Sequence, residues 1–280
     1  MKIKEKPEDF IVKEVMDLEL GEGPYNYYLI TKKNRNTLDV VKFLEKKLHT
    51  KIGFAGLKDN HAITSQYFSV YQRKIFLDME GVEFEFVGSG KKRICLGDHK
   101  GNEFIIVIGE LKKELKPIDE IINYFGSQRF SGNNIEVGRA LVKAEFSKAC
   151  ELLELSVAKN DFVGALKGHG IKKIKFLVHA YQSWLWNEKV KKMKAKKGQV
   201  CIPGFLHDKG YESLFKKEGI TKKNFIIRSI PEISAEGAER DVMVDVRYFK
   251  TLEFANGVQK VSFRLPKGSY ATEVIRQLDI

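Results

Sequence analysis

The stretch Gly53-Phe54-Ala55-Gly56-Leu57-Lys58-Asp59-Asn60-His61-Ala62-Ile63-Thr64-Ser65-Gln66 decides how this chain is read. Small residues at Gly53, Ala55 and Gly56 let the backbone turn tightly and leave room beside it. The turn delivers a cation and a carboxylate side by side, Lys58 and Asp59, ahead of polar groups at His61, Thr64 and Gln66. Taken alone, an aspartate in such a loop is either a turn former or a reactive group. Upstream, Thr37 is placed to cap a helix with Leu38, Val41, Leu44 and Leu48 on one face, stopping at His49-Thr50-Lys51. Before it, residues 10–15 and 25–30 are rich in aromatic and β-branched side chains, two strands separated by the turn Gly21-Glu22-Gly23-Pro24. Downstream, 67–71 reads as a strand and 82–86 alternates as a half-buried one. The continuous apolar run 104–108 suits a central strand.

Pro117 predicts a helix over 118–122. The next eight residues, Asn123-Tyr124-Phe125-Gly126-Ser127-Gln128-Arg129-Phe130, mix amide, aromatic, arginine and glycine without any period, as loops that carry function do. From about 140 to 197 the pattern is helical, with Leu177, Tyr181 and Leu185 in one row and Trp186, Val190 and Met193 in another. A lysine run closed by Gly198 suits the negative end of that helix. Residues 204–239 are less regular. Strands resume at 242–246, a hairpin is predicted at Asn256-Gly257, and Ser269 is placed to cap a short last helix. Strands at both ends of a helical middle predict one sheet whose halves are far apart in sequence, interrupted by an insertion. The class is α+β.

Composition narrows the partners. With 43% hydrophobic and 31% charged residues the 280-residue chain has the make-up of a soluble globular protein. No apolar run reaches the length of about 18 residues that a membrane helix needs. The charged start, Met1-Lys2-Ile3-Lys4-Glu5-Lys6, is unlike a signal peptide, so a cytoplasmic location is expected. Cys95, Cys150 and Cys201 are too scattered for a disulfide framework or a zinc knuckle, and the histidines form no ligand pattern. No phosphate-loop, HExxH or GxSxG motif occurs. Against 37 acidic residues stand 49 Lys and Arg, a net charge of +12, partly clustered at 91–93, 172–175 and 189–197. Such an excess predicts a polyanionic partner, nucleic acid above all.

Five groups of residues then carry a family likeness. They are Pro7-Glu8-Asp9-Phe10; Ala55-Gly56-Leu57-Lys58-Asp59 with Ala62, Thr64 and Gln66; Asn123-Tyr124-Phe125-Gly126 with Gln128-Arg129-Phe130; Ala180-Tyr181-Gln182-Ser183-Trp184-Leu185-Trp186-Asn187; and Leu265-Pro266-Lys267-Gly268-Ser269-Tyr270-Ala271-Thr272. Glu236-Gly237 and Arg240 precede the last. In this order, and over nearly its whole length, the chain resembles the TruD family of RNA pseudouridine synthases.

The resemblance implies an enzyme that converts uridine to pseudouridine in RNA without metal or organic cofactor. It implies tRNA as the partner, uridine 13 as the leading target, and neither a membrane nor an obligatory protein partner. Asp59 is the implied catalytic residue. A carboxylate can stabilise or trap a sugar with oxocarbenium character and can take a proton from C5; addition to C1′ and removal of a ribose proton are both open to it. Phe10, Asn123, Phe125 and Tyr270 are implied as walls around a uridine flipped from its stack. Lys58 is expected beside Asp59 as its counter-charge or on a backbone phosphate. Gln66, Gln128 and Arg129 are expected to shape the pocket or touch RNA, while Trp184 and Trp186 read as packing. The implied fold is a mixed, largely antiparallel sheet catalytic domain over 1–144 and 241–280, with a family-specific α/β domain (TRUD) inserted at 145–240. Two departures bear on substrate choice: the insertion is short, and Ser131 stands where a glycine often follows the Gln-Arg-Phe triplet. The rival reading is a non-catalytic RNA-binding or RNA-folding protein on the same scaffold.

Overall fold

The computed structural model describes residues 1–193 and 197–278. In chain order its elements begin with strands β1 (Lys2–Ile3), β2 (Phe10–Val15) and β3 (Tyr25–Lys33) and helix α1 (Thr37–Leu48). Strands β4 (Ile52–Phe54), β5 (Ile63–Tyr71), β6 (Val82–Gly90), β7 (Gly101–Gly109) and β8 (Glu120–Ile122) follow. Next come helices α2 (Asn134–Val142), α3 (Phe146–Leu152), α4 (Phe162–His169) and α5 (Ile171–Lys192), strand β9 (Gln199–Ile202) and helix α6 (Glu212–Glu218). The chain ends with β10 (Ala238–Asp241), β11 (Met243–Asp245), β12 (Arg247–Ala255), β13 (Val258–Pro266) and helix α7 (Ala271–Leu278). They form two compact units, Met1–Ile121 with Asp245–Ile280, and Ile122–Val244.

The first unit is built on a nine-stranded sheet of order β12-β13-β7-β2-β5-β3-β6, with β1 added against β7 and β4 against β5. Among the described residues of this sheet only the β2–β5 pairing is parallel, with Ile11 opposite Ile63. The apolar run 104–108 is central, as its composition predicts. Phe104, Ile106 and Ile108 are buried, and β13 lies beside them with Phe263 opposite Phe104. The predicted hairpin forms between β12 and β13, where Asn256 (φ 51°) and Gly257 (φ 73°) both take the left-handed conformation of a type I′ turn. One sheet is thus completed by two segments separated by the whole second unit.

Helix α1 packs Val40, Val41 and Leu44 onto Tyr28, Ile30, Phe68 and Val70 of the sheet. Asn36 caps it, accepting from Leu38 N at 2.9 Å, so Thr37 is not the cap but a buried first helical residue. The buried stripe therefore falls on 37, 40, 41 and 44, and Leu38 faces solvent. Three other local signals are realised differently. The Pro117 segment forms no helix, because 120–122 is drawn into strand β8, which pairs with β11. The strand expected from 67 starts at Ile63, since 63–65 pair with both β2 and β3. Ser269 does not cap α7: its hydroxyl is buried without a hydrogen-bond partner.

The second unit is organised on α5, whose Ile174, Leu177, Val178, Tyr181 and Leu185 share one core with Val137, Leu141, Leu166, Tyr211 and Phe225. Trp186 is fully buried with Nε1 donating to Val200 O at 3.0 Å, and Trp184 stacks on Tyr181, so both tryptophans pack as expected. This compact unit runs from Ile122 to Val244: α2 lies against α5 at its start, and β10 pairs with β9 near its end. Helix α5 stops at Lys192. Lys194, Ala195 and Lys196, over which the lysine run was expected to reach Gly198, lie outside the described residues.

Gly138 fixes how closely α2 approaches α5. A Cβ there would lie 2.1 Å from Leu177 O and 2.9 Å from Tyr181 Cβ, and a helix backbone cannot shift as a flexible side chain can. Gly138→Ala is expected to cost about 1–3 kcal/mol through overpacking, read as a fall in the thermal midpoint of the second unit.

Candidate active site

The turn at 56–58 is tied at both ends from inside the first unit. Gln66, fully buried on β5, donates through Nε2 to Gly56 O at 3.0 Å and accepts from Thr37 Oγ1 at 2.9 Å. Thr37 Oγ1 in turn accepts Lys58 N at 3.1 Å. A polar side chain at the first turn of α1 and another on β5 thus satisfy backbone groups that a tight turn leaves unpaired.

Below the turn lie two buried cations. Lys58 Nζ pairs with Glu14 Oε1 at 2.6 Å, with side chains 5% and 0% exposed, and Glu14 Oε2 accepts Tyr67 N at 3.0 Å. In this structure Lys58 is an internal strut whose ammonium goes to Glu14 and not to Asp59: β2 places Glu14 on the inward face with Phe10 and Val12. Lys32, 1% exposed on β3, donates to Asp59 O at 2.8 Å and Arg35 O at 2.6 Å.

What remains outward is the Asp59 carboxylate. Oδ1 accepts His61 N at 3.1 Å, and Oδ2 pairs with Lys4 Nζ. Lys4 Nζ also sits 3.9 Å from the Phe10 ring centroid, which links Phe10 to Asp59 through one ammonium. Phe10 itself is buried and meets Phe104 edge-on. The Asp59 side chain stays 19% exposed on a backbone held from three directions. Tyr270 is half-buried immediately before α7 in the same unit.

Burial pushes the Lys32 ammonium down to about 8, with nearby Asp59 opposing that shift and Lys58 adding to it. Below pH 8 folded and unfolded chains both hold this proton, and the burial cost is present in full. Between about 8 and the ordinary 10.5, the unfolded chain binds a proton that the folded chain has released, so stability from this group rises with pH. Relative to Lys32→Met, the denaturation midpoint of the wild type is expected to gain between about pH 7.5 and 9.5; a constant difference would refute it.

In the second unit, Asn123 and Phe125 are equally fixed. Arg240 donates from Nη2 to Asn123 Oδ1 at 2.7 Å and from Nη2 and Nε to Asn123 O at 2.8 and 3.0 Å. Asn123 Nδ2 donates to Asp241 O at 3.2 Å. The Phe125 backbone exchanges two 3.0 Å bonds with the Asn187 amide. Its ring meets Trp186 edge-on at 5.6 Å and carries the Arg240 guanidinium 4.0 Å from its centroid. Gln128 is exposed on the 3₁₀ turn Ser127–Phe130, and Arg129 is half-buried beside Phe125.

Lys4, Lys32 and Glu14 were not among the sequence candidates. Continuing the strand alternation would have found two of them, because Glu14 and Lys32 fall on inward positions of β2 and β3. Lys4 has no such signal: it lies 55 positions from Asp59 in a short charged segment, and only the fold joins them.

The model of tRNA pseudouridine synthase D (TruD) matches residues 1–160 and 205–278. The chain belongs to the TruD family. It is an RNA pseudouridine synthase, and TruD enzymes isomerise uridine to pseudouridine in tRNA. A probable tRNA pseudouridine synthase D of Thermococcus sibiricus is 27% identical over 402 residues, covering 99% of this chain and 94% of that one. The tRNA pseudouridine synthase D of Aquifex aeolicus is 28% identical over 376 residues, covering 99% and 98%. Both alignments run well past the 280 residues here, so these TruD relatives carry segments that this chain lacks. The crystal structure of a Methanosarcina mazei protein described as TruD superposes with a TM-score of 0.71 at 21% identity, covering 100% of this chain and 93% of that one, which shows the fold. Among the described residues no helix is long and apolar enough to cross a membrane.

Proposed function

We propose that Asp59 is the catalytic carboxylate of this TruD enzyme and that uridine 13 of tRNA is its target. The observation that carries the first part is the asymmetry at the turn: Thr37, Gln66, Lys58 and Lys32 turn inward and hold the turn, whereas the Asp59 carboxylate stays part-exposed, oriented by His61 N and Lys4. That is the preorganisation a reacting group requires. In the reaction the N1–C1′ bond breaks with its electron pair going to the uracil. Asp59 meets the positive charge that develops on the sugar. The base rotates, C5 bonds C1′, the C5 proton leaves to a base, and N1 gains a proton, so atoms and charge balance. Asp59 takes the C5 proton once the sugar is released, as a carboxylate can. Within the first unit, Phe10, with Lys4 over its ring, and Tyr270 supply aromatic surface for the flipped base. Position 13 is supported by the family likeness. The test is mass-spectrometric mapping of pseudouridine in unmodified tRNA transcripts treated with the enzyme. Modification is expected at position 13 and lost when that uridine is replaced by cytidine; modification elsewhere with position 13 untouched would reject the assignment.

A further inference from the structure

The second unit holds a cavity of about 410 Å³ whose walls include Phe125, Arg129, Lys175, His179, Gln182 and Glu236. Its cations are uncompensated. Arg129 Nε is buried with no hydrogen-bond partner, and neither Arg129 nor Lys175 has a carboxylate partner among the described residues. The Arg129 guanidinium lies between two rings, with centroids of Phe125 at 5.4 Å and Phe176 at 5.5 Å, so its direction is set before any ligand arrives. Lys175 and His179 are one turn apart on α5 and project to the same side. Burial, then the charges of Arg129 and Lys175, push His179 down to about 4, so it offers a neutral ring beside the two cations. Exposed Lys172 and Lys173 extend the positive face.

A guanidinium N–H buried without a partner is costly, and a cation left without a counter-charge invites an anionic ligand. A planar fork beside an ammonium matches the oxygens of a phosphate. The exposed Glu236 carboxylate on the wall disfavours a dianion and leaves a singly charged diester as the better fit. We propose that this cavity is an RNA subsite in which Arg129 and Lys175 hold one backbone phosphodiester of the substrate. The proposal rests on the chain's being a tRNA-modifying enzyme and gives a role to lysines that the chemistry at Asp59 does not use.

The experiment measures binding of an unmodified tRNA transcript to the full chain across a potassium chloride series, for the wild type, Lys175→Gln, Arg129→Gln and Asp59→Asn. Lys175→Gln and Arg129→Gln are each expected to weaken binding about 5–10-fold and to reduce the slope of log K against log salt by just under one. Lys175→Arg should restore both. In turnover, Lys175→Gln should raise KM with kcat changed less than about twofold, the mark of binding made equally in ground and transition states. If Arg129→Gln proves less stable, Lys175→Gln decides, because that half-exposed side chain is not part of the core. An unchanged affinity and salt slope in Lys175→Gln overturns the proposal. So does a wild type stabilised against heat by inorganic phosphate, with that effect lost in Lys175→Gln and the tRNA slope unaltered; the cavity would then take a small free anion. Asp59→Asn separates the two readings, since failure of its catalytic role leaves these binding results standing.

Discussion

Asp59→Asn is expected to abolish tritium release from tRNA carrying 5-tritiated uridine, lowering kcat by at least about 10⁴-fold, the scale for a group that both meets the reacting sugar and moves a proton. Asparagine keeps the size of the side chain and an oxygen for His61 N. It removes the negative charge and the pair with Lys4. Because that pair is partly solvated, its loss should change stability by no more than about 1 kcal/mol, and the thermal midpoint should barely move. Binding of tRNA should survive, which separates a chemical defect from a folding one. A fully active Asp59→Asn protein would end the assignment, and a wild type that binds tRNA yet releases no tritium would return the non-catalytic reading.

The second large effect falls on stability. Glu14→Ala leaves Lys58 as an uncompensated charge inside the first unit and Tyr67 N without its acceptor. Breaking one side of a buried pair costs about 3–5 kcal/mol. For a domain of this size that is a fall of roughly 10 °C in the thermal midpoint. Activity should fall with it, because Lys58 is one residue from Asp59 and its N–H is part of the tie to Thr37. The double variant Glu14→Leu with Lys58→Met should recover much of the stability, since two apolar side chains can replace a buried pair at little cost. Calorimetric melts of Glu14→Leu, Lys58→Met and the double variant close the cycle; additive losses would mean that the pair is not coupled.

Much of the fold was legible because its signals are local and periodic. The alternation at 82–86, the apolar run of β7 and the Asn256-Gly257 turn each depend on neighbouring residues alone, and each appears where its pattern places it. Where the reading failed, partners distant in sequence took the residues concerned: Thr37 Oγ1 is engaged by Gln66 and Lys58 N, leaving the cap to Asn36, and 120–122 is strand rather than helix because it pairs with β11. The cap choice frees Thr37 to hold Lys58 N and Gln66, a role that no helix signal contains.

The sequence by itself determined the family, the reaction class and the residue on which the chemistry is proposed to turn, because motif order and residue type survive without coordinates. Only the tertiary structure decided which cation serves which carboxylate. Lys58, adjacent to Asp59, goes to Glu14; Lys4, 55 positions away, goes to Asp59; and Lys32 holds the Asp59 carbonyl from beneath. Sequence adjacency does not fix where a long side chain ends, whereas strand pleat does: it turns Glu14 and Lys32 inward, so that the turn is anchored from below and one carboxylate is left facing out.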